Sequence, residues 1–196
     1  MRRIVAVEHL SLDGVMQSPS GLDEDQRGGF THGGWAQPDN DEIMGAELGG
    51  DMGSVELLFG RFTYEQFYGY WPKQTEPNPF TDVLNNTHKY VASRTLAEPL
   101  PWVNSTLLSG DAAESVAELK AKPGKDLVVL GSGNLVQSLI QADLVDSYQL
   151  LIHPVVLGSG RRLFPDGGPL SRLRLAKSVI TTKGVVIATY EAVRND

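Results

Sequence analysis

The segment Asp126-Leu-Val-Val-Leu-Gly-Ser-Gly-Asn-Leu135 constrains this chain more than any other. An apolar strand there runs into a Gly-x-Gly turn and then into a helix that carries Leu135, Val136, Leu139 and Ile140 on one face. Glycine lets the chain bend sharply and come close to a ligand, and the first turn of the helix offers backbone N–H groups with no partner inside the helix. Those amides and the positive end of the helix dipole favour an anion above the turn, typically a phosphate. A Gly-rich turn between strand and helix is also a common plain connection, so the reading depends on agreement from other segments.

Val55-Glu-Leu-Leu-Phe59 repeats the pattern as a buried strand, and Gly60-Arg-Phe-Thr-Tyr-Glu65 turns out of it into a short helix that ends by Trp71-Pro72. Lys89-Tyr-Val-Ala92 is a further strand, leaving through Ser93-Arg94-Thr95. Ahead of these, Arg3 to His9 predicts the first strand. Asp13 to Pro38, rich in Gly, Ser, Pro and Asp, predicts a lid loop, because structureless loops of that length are uncommon unless they bind or cover something. Asp39-Asn-Asp-Glu42 predicts a helix start, with Ile43, Met44 and Leu48 as its apolar stripe and Gly49-Gly50 as its end. Later in the chain, Asn104 to Leu108 predicts a strand, and Asp111 with Glu114 caps a helix through Lys122. Tyr148 to Leu157 predicts a long strand interrupted by His153-Pro154, and Leu170 to Ile180 with Val185 to Val193 an antiparallel hairpin about Thr182-Lys183-Gly184. The sum is one α/β domain over residues 1–196, with a mostly parallel sheet and an antiparallel end.

Composition removes several function classes. Apolar residues at 41 % and charged residues at 21 % describe an ordinary globular chain, and no run approaches the roughly 20 apolar residues that cross a bilayer. The basic start, Met1-Arg-Arg, meets Glu8 too soon for the core of a secretory signal, so export is not expected. With no cysteine, the chain has no disulfide, no thiolate nucleophile and no Cys-ligated zinc, which suits a reducing cytoplasm. A net charge of −7 argues against nucleic acid as a partner, since a phosphate backbone needs a basic face. His9, His32, His88 and His153 are scattered without metal-ligand spacing, so no metal is expected, and His153 before Pro154 reads as a packed strand residue.

Three strand exits now carry glycines, hydroxyls or cations: Gly60-Arg61-Phe62-Thr63, Ser93-Arg94-Thr95 and Gly131-Ser132-Gly133-Asn134. In an open α/β sheet ligands lie across the carboxyl ends of strands, so three such turns can share one elongated ligand, and a dinucleotide fits. Arg61 and Arg94 each offer a planar fork of donors matched to phosphate, with Thr63, Ser93 and Thr95 beside them, which favours NADPH over NADH. A Rossmann fingerprint fails because Val136 stands where its third glycine belongs, and no Gly-Lys-Ser or Gly-Lys-Thr exists for a P-loop.

In order and spacing, Gly60-Arg-Phe-Thr-Tyr-Glu65, Ser93-Arg94-Thr95 and Val129-Leu-Gly-Ser-Gly133 resemble the cofactor-binding segments of the dihydrofolate reductase-like superfamily. Ser11-Leu-Asp-Gly14 and Pro154-Val-Val-Leu-Gly-Ser-Gly160 with Leu163-Phe164 are similar to the C-terminal reductase domain of the bifunctional deaminase-reductase of riboflavin biosynthesis. The resemblance covers nearly the whole chain and implies a three-layer α/β/α domain that binds NADPH and forms a homodimer. It further implies that Gly60, Arg61 and Thr63 hold the cofactor's phosphates, Ser93, Arg94 and Thr95 its 2′-phosphoadenosine, and Gly131, Ser132, Gly133, Asn134 and Leu135 its pyrophosphate. The zinc-bearing deaminase half has no counterpart in these residues.

Hydride transfer also needs a proton source. Asp13, at the end of the first strand and placed by the resemblance near nicotinamide and substrate, is the first candidate, an Asx turn before Gly14 being the alternative. Asp41 is the second, with helix capping as its alternative. Trp35 in the lid and the Gly158-Ser-Gly-Arg161 turn are candidates for contact with substrate, the latter for a phosphate, although a tight loop with a solvated basic pair explains it equally. Three functions remain open: a reductase acting on a ribosylamino-pyrimidine, a dihydrofolate reductase-like enzyme acting on a pteridine or another imine or carbonyl, and a module that binds NADPH without turnover.

Overall fold

Short apolar strands alternating with helices can bury both faces of each strand only inside a layered fold, and the computed structural model builds one. It describes residues 1–50, 53–75 and 79–194. The strands are β1 (Ile4–Ser11), β2 (Glu56–Gly60), β3 (Lys89–Ala92), β4 (Ser105–Leu108), β5 (Leu127–Leu130), β6 (Ser147–His153), β7 (Leu173–Ile180) and β8 (Val186–Ala192). The helices are α1 (Glu42–Gly49), α2 (Arg61–Tyr70), α3 (Pro79–Asn86), α4 (Ala112–Ala121) and α5 (Gly133–Gln141).

One sheet holds the strands in the order β4-β3-β2-β5-β1-β6-β8-β7. The first six in that order run parallel, and β8 and β7 close the sheet antiparallel. The chain moves outward from β1 to β2, β3 and β4, then returns to place β5 between β2 and β1. Right-handed crossovers in opposite directions put helices on opposite faces. Met44 of α1, Tyr64 of α2 and Leu84 of α3 accordingly pack with Leu57, Phe59, Val91 and Leu151. On the other face, Val116 and Leu119 of α4 and Leu135, Val136 and Leu139 of α5 pack with Ile4, Ala6, Leu58 and Val129. Fully buried Leu127, Leu139 and Leu151 each contribute roughly 1.5–3 kcal/mol of transfer free energy.

The return of β5 creates the feature that positions the site. β5 pairs with β1 only as far as Val7 opposite Leu130, whereas β6 accompanies β1 to Ser11 opposite His153. From Glu8 onward β1 therefore has β6 on one side and no paired strand on the other, until Ser11 N–H donates to Val15 O at the start of the lid.

The expected α/β/α architecture with its antiparallel hairpin is present, with local corrections. β1 runs two residues past His9, to Ser11. β6 stops at His153 rather than continuing to Leu157, because Pro154 has no N–H for the ladder. α3 was not read from sequence. The turn between β7 and β8 is tightened by Thr181, whose Oγ1 accepts from the N–H groups of Lys183 and Val185. Residues 13–38 form the expected loop, whose folding is set by its own side chains: the Gln17 amide donates to the carbonyls of Asp25 and Arg27, and Ser18 Oγ donates to Gly21 O and accepts from Asp25 N.

Candidate active site

All the parallel strands end on one edge of the sheet, and a cleft of about 650 Å³ opens there. Its walls include Gly60, Arg61, Phe62 and Thr63 from the β2 exit, Ser93, Arg94 and Thr95 from the β3 exit, and Gly131 through Leu135 from the β5 exit. The structure thus brings together the three corners singled out in sequence.

Backbone geometry explains why these turns are shaped as they are. Gly131 and Ser132 stand in succession at φ +62° and +63°, a left-handed pair that strains the serine. Ser132 Oγ accepts from Gly60 N at 3.0 Å, so it ties the β2 exit to the β5 exit instead of capping α5. α2 likewise starts at Gly60 without a side-chain cap. By contrast, Asp41 caps α1 through Met44 N, and Asp111 caps α4 through Ala113 N and Glu114 N. The amides at the starts of α2 and α5 are left without side-chain caps beside the cleft, where they and the helix dipoles suit an anion. Gly133, itself a wall of the cleft, also has a packing role. A Cβ there would stand 2.3 Å from Sδ and Cε of Met16, so the missing side chain makes room for the methionine.

Arginines from several elements face the same space. Arg61 pairs with Glu65 at 3.1 Å along α2, while exposed Arg94 has no ion-pair or hydrogen-bond partner among the described residues. Ser93 Oγ accepts from the N–H groups of Thr95 and Leu96, which holds that exit in a tight turn. Arg161 donates from Nη2 to Asn134 Oδ1 at 2.8 Å, and its backbone N–H donates to Gln17 Oε1. Arg27 grips Asp25 and lies 4.4 Å from the centre of the Phe62 ring, so it lashes the lid to α2.

The two expected proton donors do not line the cleft. Asp13 accepts from Ser11 Oγ at 2.7 Å and from the backbone N–H groups of Leu157 and Gly158. With the Ser11 hydroxyl as the largest cause, these bonds hold its carboxyl down at about 2, so at neutral pH it is a fixed carboxylate that anchors the 157–158 turn. Asp41 caps α1 and accepts from the N–H and hydroxyl of Thr182; the Met44 amide is the leading cause of its lowered pKa. Trp35 also lies off the cleft, its Nε1 donating to Gln17 O at 2.7 Å and its ring standing edge-on to His153. Gly158 serves Asp13 and is not a wall of the cleft, unlike Arg161.

Sequence reasoning missed the titratable floor. Glu8 is only 4 % exposed and lines the cleft, and its Oε1 has no hydrogen-bond partner. Burial first, and the charge of Glu24 second, push its carboxyl up to about 8, so it is largely protonated at neutral pH. On the other face of β1, His9 also lines the cleft. Its Nδ1 lies 2.9 Å from Nε2 of fully buried His153, whose Nδ1 lies 2.9 Å from Asp39 Oδ2. Phe67, Trp71 and Phe80 form an aromatic wall on that side. A glutamate within an apolar strand was the available signal for Glu8; the histidine pair needs the pairing of β1 with β6, which sequence does not supply.

Residues 2–187 match the RibD C-terminal domain family. YyaP of Bacillus subtilis strain 168, an uncharacterized protein, is 32 % identical over 170 residues, covering 80 % of this chain and 88 % of YyaP. YwjB of the same organism, also uncharacterized, is 33 % identical over 70 residues, covering 36 % of this chain and 40 % of YwjB. Among solved structures, a candidate riboflavin biosynthesis protein of Shewanella sp. PV-4 superposes with a TM-score of 0.71 at 22 % identity, covering 98 % of this chain and 99 % of that one. A pyrimidine reductase-like protein of Corynebacterium diphtheriae gives a TM-score of 0.65 at 12 % identity, covering 99 % and 93 %.

Proposed function

Because this chain belongs to the RibD C-terminal domain family, we propose that it is an NADPH-dependent reductase of the riboflavin-pathway type, reducing the sugar of a ribosylamino-pyrimidine to a ribityl chain. One observation carries the reading: three strand exits and the starts of two helices without side-chain caps surround a single cleft at the carboxyl edge of the sheet.

The donor set fits the cofactor. Gly60, Arg61 and Thr63 with the first amides of α2 would hold phosphate, as would Gly131 through Leu135 with the first amides of α5. Arg94, free of any partner among the described residues and set beside Ser93 and Thr95, suits the 2′-phosphate that distinguishes NADPH from NADH. When bound, NADPH supplies the hydride. Largely neutral Glu8 keeps most of a negative charge out of a cleft meant for phosphates. The Phe67, Trp71 and Phe80 wall suits a flat heterocycle, and Arg27 and Arg161 at the lid suit a substrate phosphate.

No helix among the described residues is long and apolar enough to cross a membrane. Together with the missing cysteines, this agrees with a place in a reducing cytoplasm. A second copy of this chain is the proposed partner.

Titration with NADPH and NADH, followed by a substrate screen at the nicotinamide absorbance, tests the reading. Arg94→Ala is expected to weaken NADPH by about tenfold and to leave NADH unchanged. Equal losses for both cofactors would remove Arg94 from the 2′-phosphate site. Faster reduction of dihydrofolate than of the ribosylamino-pyrimidine would favour the pteridine reading, and tight NADPH binding with no turnover of either would favour the non-catalytic one.

A further inference from the structure

The reductase reading leaves the proton unassigned, and Asp13 and Asp41 are held as carboxylates away from the cleft. Of the carboxyl and imidazole groups that line it, Glu24 accepts from the N–H groups of Ser20 and Gly21, Asp25 is gripped by Arg27 and Asp111 caps α4, which leaves Glu8 and His9. They differ in what stands behind them. Glu8 is buried with one oxygen unpartnered among the described residues, so giving its proton away would leave a buried carboxylate with no donor to stabilise it. His9 is the inner end of a chain that reaches outward through fully buried His153 to Asp39, whose side chain keeps 21 % exposure.

Strand geometry builds this chain. Ser11 of β1 stands opposite His153 of β6, and side chains two residues apart on a strand share a face, so His9 and His153 are diagonal neighbours on one face. Their nitrogens meet at 2.9 Å. Asp39, in a short 3-10 turn at the end of the lid, comes over that face at 2.9 Å from His153 Nδ1. Trp35 stands edge-on to His153 at 5.3 Å between ring centres and is itself held by Gln17, which fixes the imidazole between its two partners. No hydrogen-bond partner for His9 Nε2 occurs among the described residues, and the ring borders the cleft.

Resting on the reductase reading, we propose that Asp39, His153 and His9 form a proton relay that opens on the cleft, with His9 the catalytic acid and the other two positioning residues. At rest the Asp39 carboxylate accepts from His153 Nδ1–H, which leaves His153 Nε2 bare to accept from His9 Nδ1–H, and His9 Nε2 carries a lone pair. Before hydride transfer His9 Nε2 takes one proton from cleft water while His9 Nδ1 passes its own to His153 Nε2, which leaves His9 with Nε2–H and the added proton on His153 beside the Asp39 carboxylate. As the reducible C=N or C=O carbon gains the hydride, its heteroatom takes the Nε2 proton and the chain returns to rest. The sum is NADPH, one proton and C=X giving NADP⁺ and CH–XH. Burial, with His153 second, pushes His9 down to about 4, so the His9 ring is neutral at rest and the proton it gains is passed outward toward the Asp39 carboxylate. The titratable groups facing His9 are His153 from β6 and, through it, Asp39 from the lid, while Glu8 lies on the opposite face of β1.

The test uses the full chain in two arms. The first is ¹⁵N-histidine NMR of the free protein, in which His9 and His153 are expected as Nδ1–H tautomers at neutral pH. Asp39→Ala should release His153 from that tautomer, whereas Asp39→Asn, whose amide oxygen still accepts, should retain it. The second is turnover of a ribosylamino-pyrimidine. There Asp39→Asn should lower kcat about tenfold or more with KM and NADPH affinity kept, and His9→Ala should lower it about 10²-fold with partial rescue by added imidazole. Nε2–H tautomers in the free protein, or wild-type turnover in Asp39→Asn, would overturn the relay. If wild-type protein binds NADPH and reduces nothing, the reductase reading falls, and with it His9 as an acid; Nδ1–H tautomers would then still uphold the wiring to Asp39, and Nε2–H tautomers would refute that as well.

Discussion

Glu8 shows how one residue can record both a function and a cost. Its carboxyl has a reference pKa of 4.5 and stands at about 8 in the fold, chiefly through burial. A folded value above the unfolded one means that the folded state holds the proton more tightly. The associated stability is complete below about pH 4.5, is lost as pH rises, and is gone above about pH 8. Glu8→Gln is neutral at every pH, so its stability relative to wild type should climb across that window by up to 4–5 kcal/mol, on the order of 1.4 kcal/mol per unit, and then level off. Urea unfolding of both proteins at a series of pH values gives the comparison, and a difference that is flat across pH would show that Glu8 is not buried as a neutral acid. His9, depressed to about 4, loses stability in the opposite direction, as pH falls from 6.5 to 4, and cancels from the difference because both proteins carry it. At this scale the sequence was legible for the place of Arg61, Arg94 and the serine and threonine beside them at one cleft, since turn composition is local. It did not show the packing reason for Gly133, where the space a side chain would fill is taken by Met16. Asp13 and Asp41 were open to both a catalytic and a turn or capping role. The backbone amides that settle Asp13 belong to Leu157 and Gly158, more than 140 positions away.

Among the elements, the helices with capping acids or a glycine turn before them were readable, and α3 was not. Phe80, Val83 and Leu84 do give it an i, i+3, i+4 stripe, but it lasts only two turns and sits among proline, threonine and asparagine. The lid was readable as a loop but not as an organised one. Gly33 illustrates why: a Cβ there would stand 2.2 Å from the carbonyl oxygen of Leu22, a contact made only once the loop has folded on itself. What fastens the lid to α2 is Arg27, through Asp25 and the face of Phe62. A half-exposed cation–π contact and an ion pair from half-exposed Arg27 to buried Asp25 are each worth about 1 kcal/mol. Arg27→Ala should therefore speed amide hydrogen exchange across residues 23–29 by about tenfold while β1 and β5 keep wild-type protection. Unchanged exchange in the lid would mean that Gln17 and Ser18 alone hold it closed.

Across the whole molecule, the location of the cleft was legible because parallel strands must all end on one edge, which makes three separate turns neighbours without any long-range information. The gap beside Glu8 and the histidine chain depend on β5 returning between β2 and β1, and on β6 outrunning it, which only the assembled sheet fixes. The same sheet ends in β7, whose outer edge has no strand beside it among the described residues. Edge strands are usually guarded by charge. Here the charges are paired within the chain: Arg174 with Glu191 of β8, and Lys177 with Glu47 of α1. Apolar groups are left facing water, with Leu175 51 % and Ile180 68 % exposed on β7, and Leu170 92 % exposed just before it. An edge with its cations tied to its own chain and its apolar side chains outward is a template for another copy of itself, since a two-fold axis beside β7 would bury both sets at once. Sedimentation at micromolar concentration is expected to give a dimer. The pair Leu175→Lys and Ile180→Lys should convert it to a folded monomer, because two cations on each copy would then face their symmetry mates across the axis. Wild-type protein that sediments as a monomer through that range, or a double variant that stays dimeric, would move the partner surface away from β7.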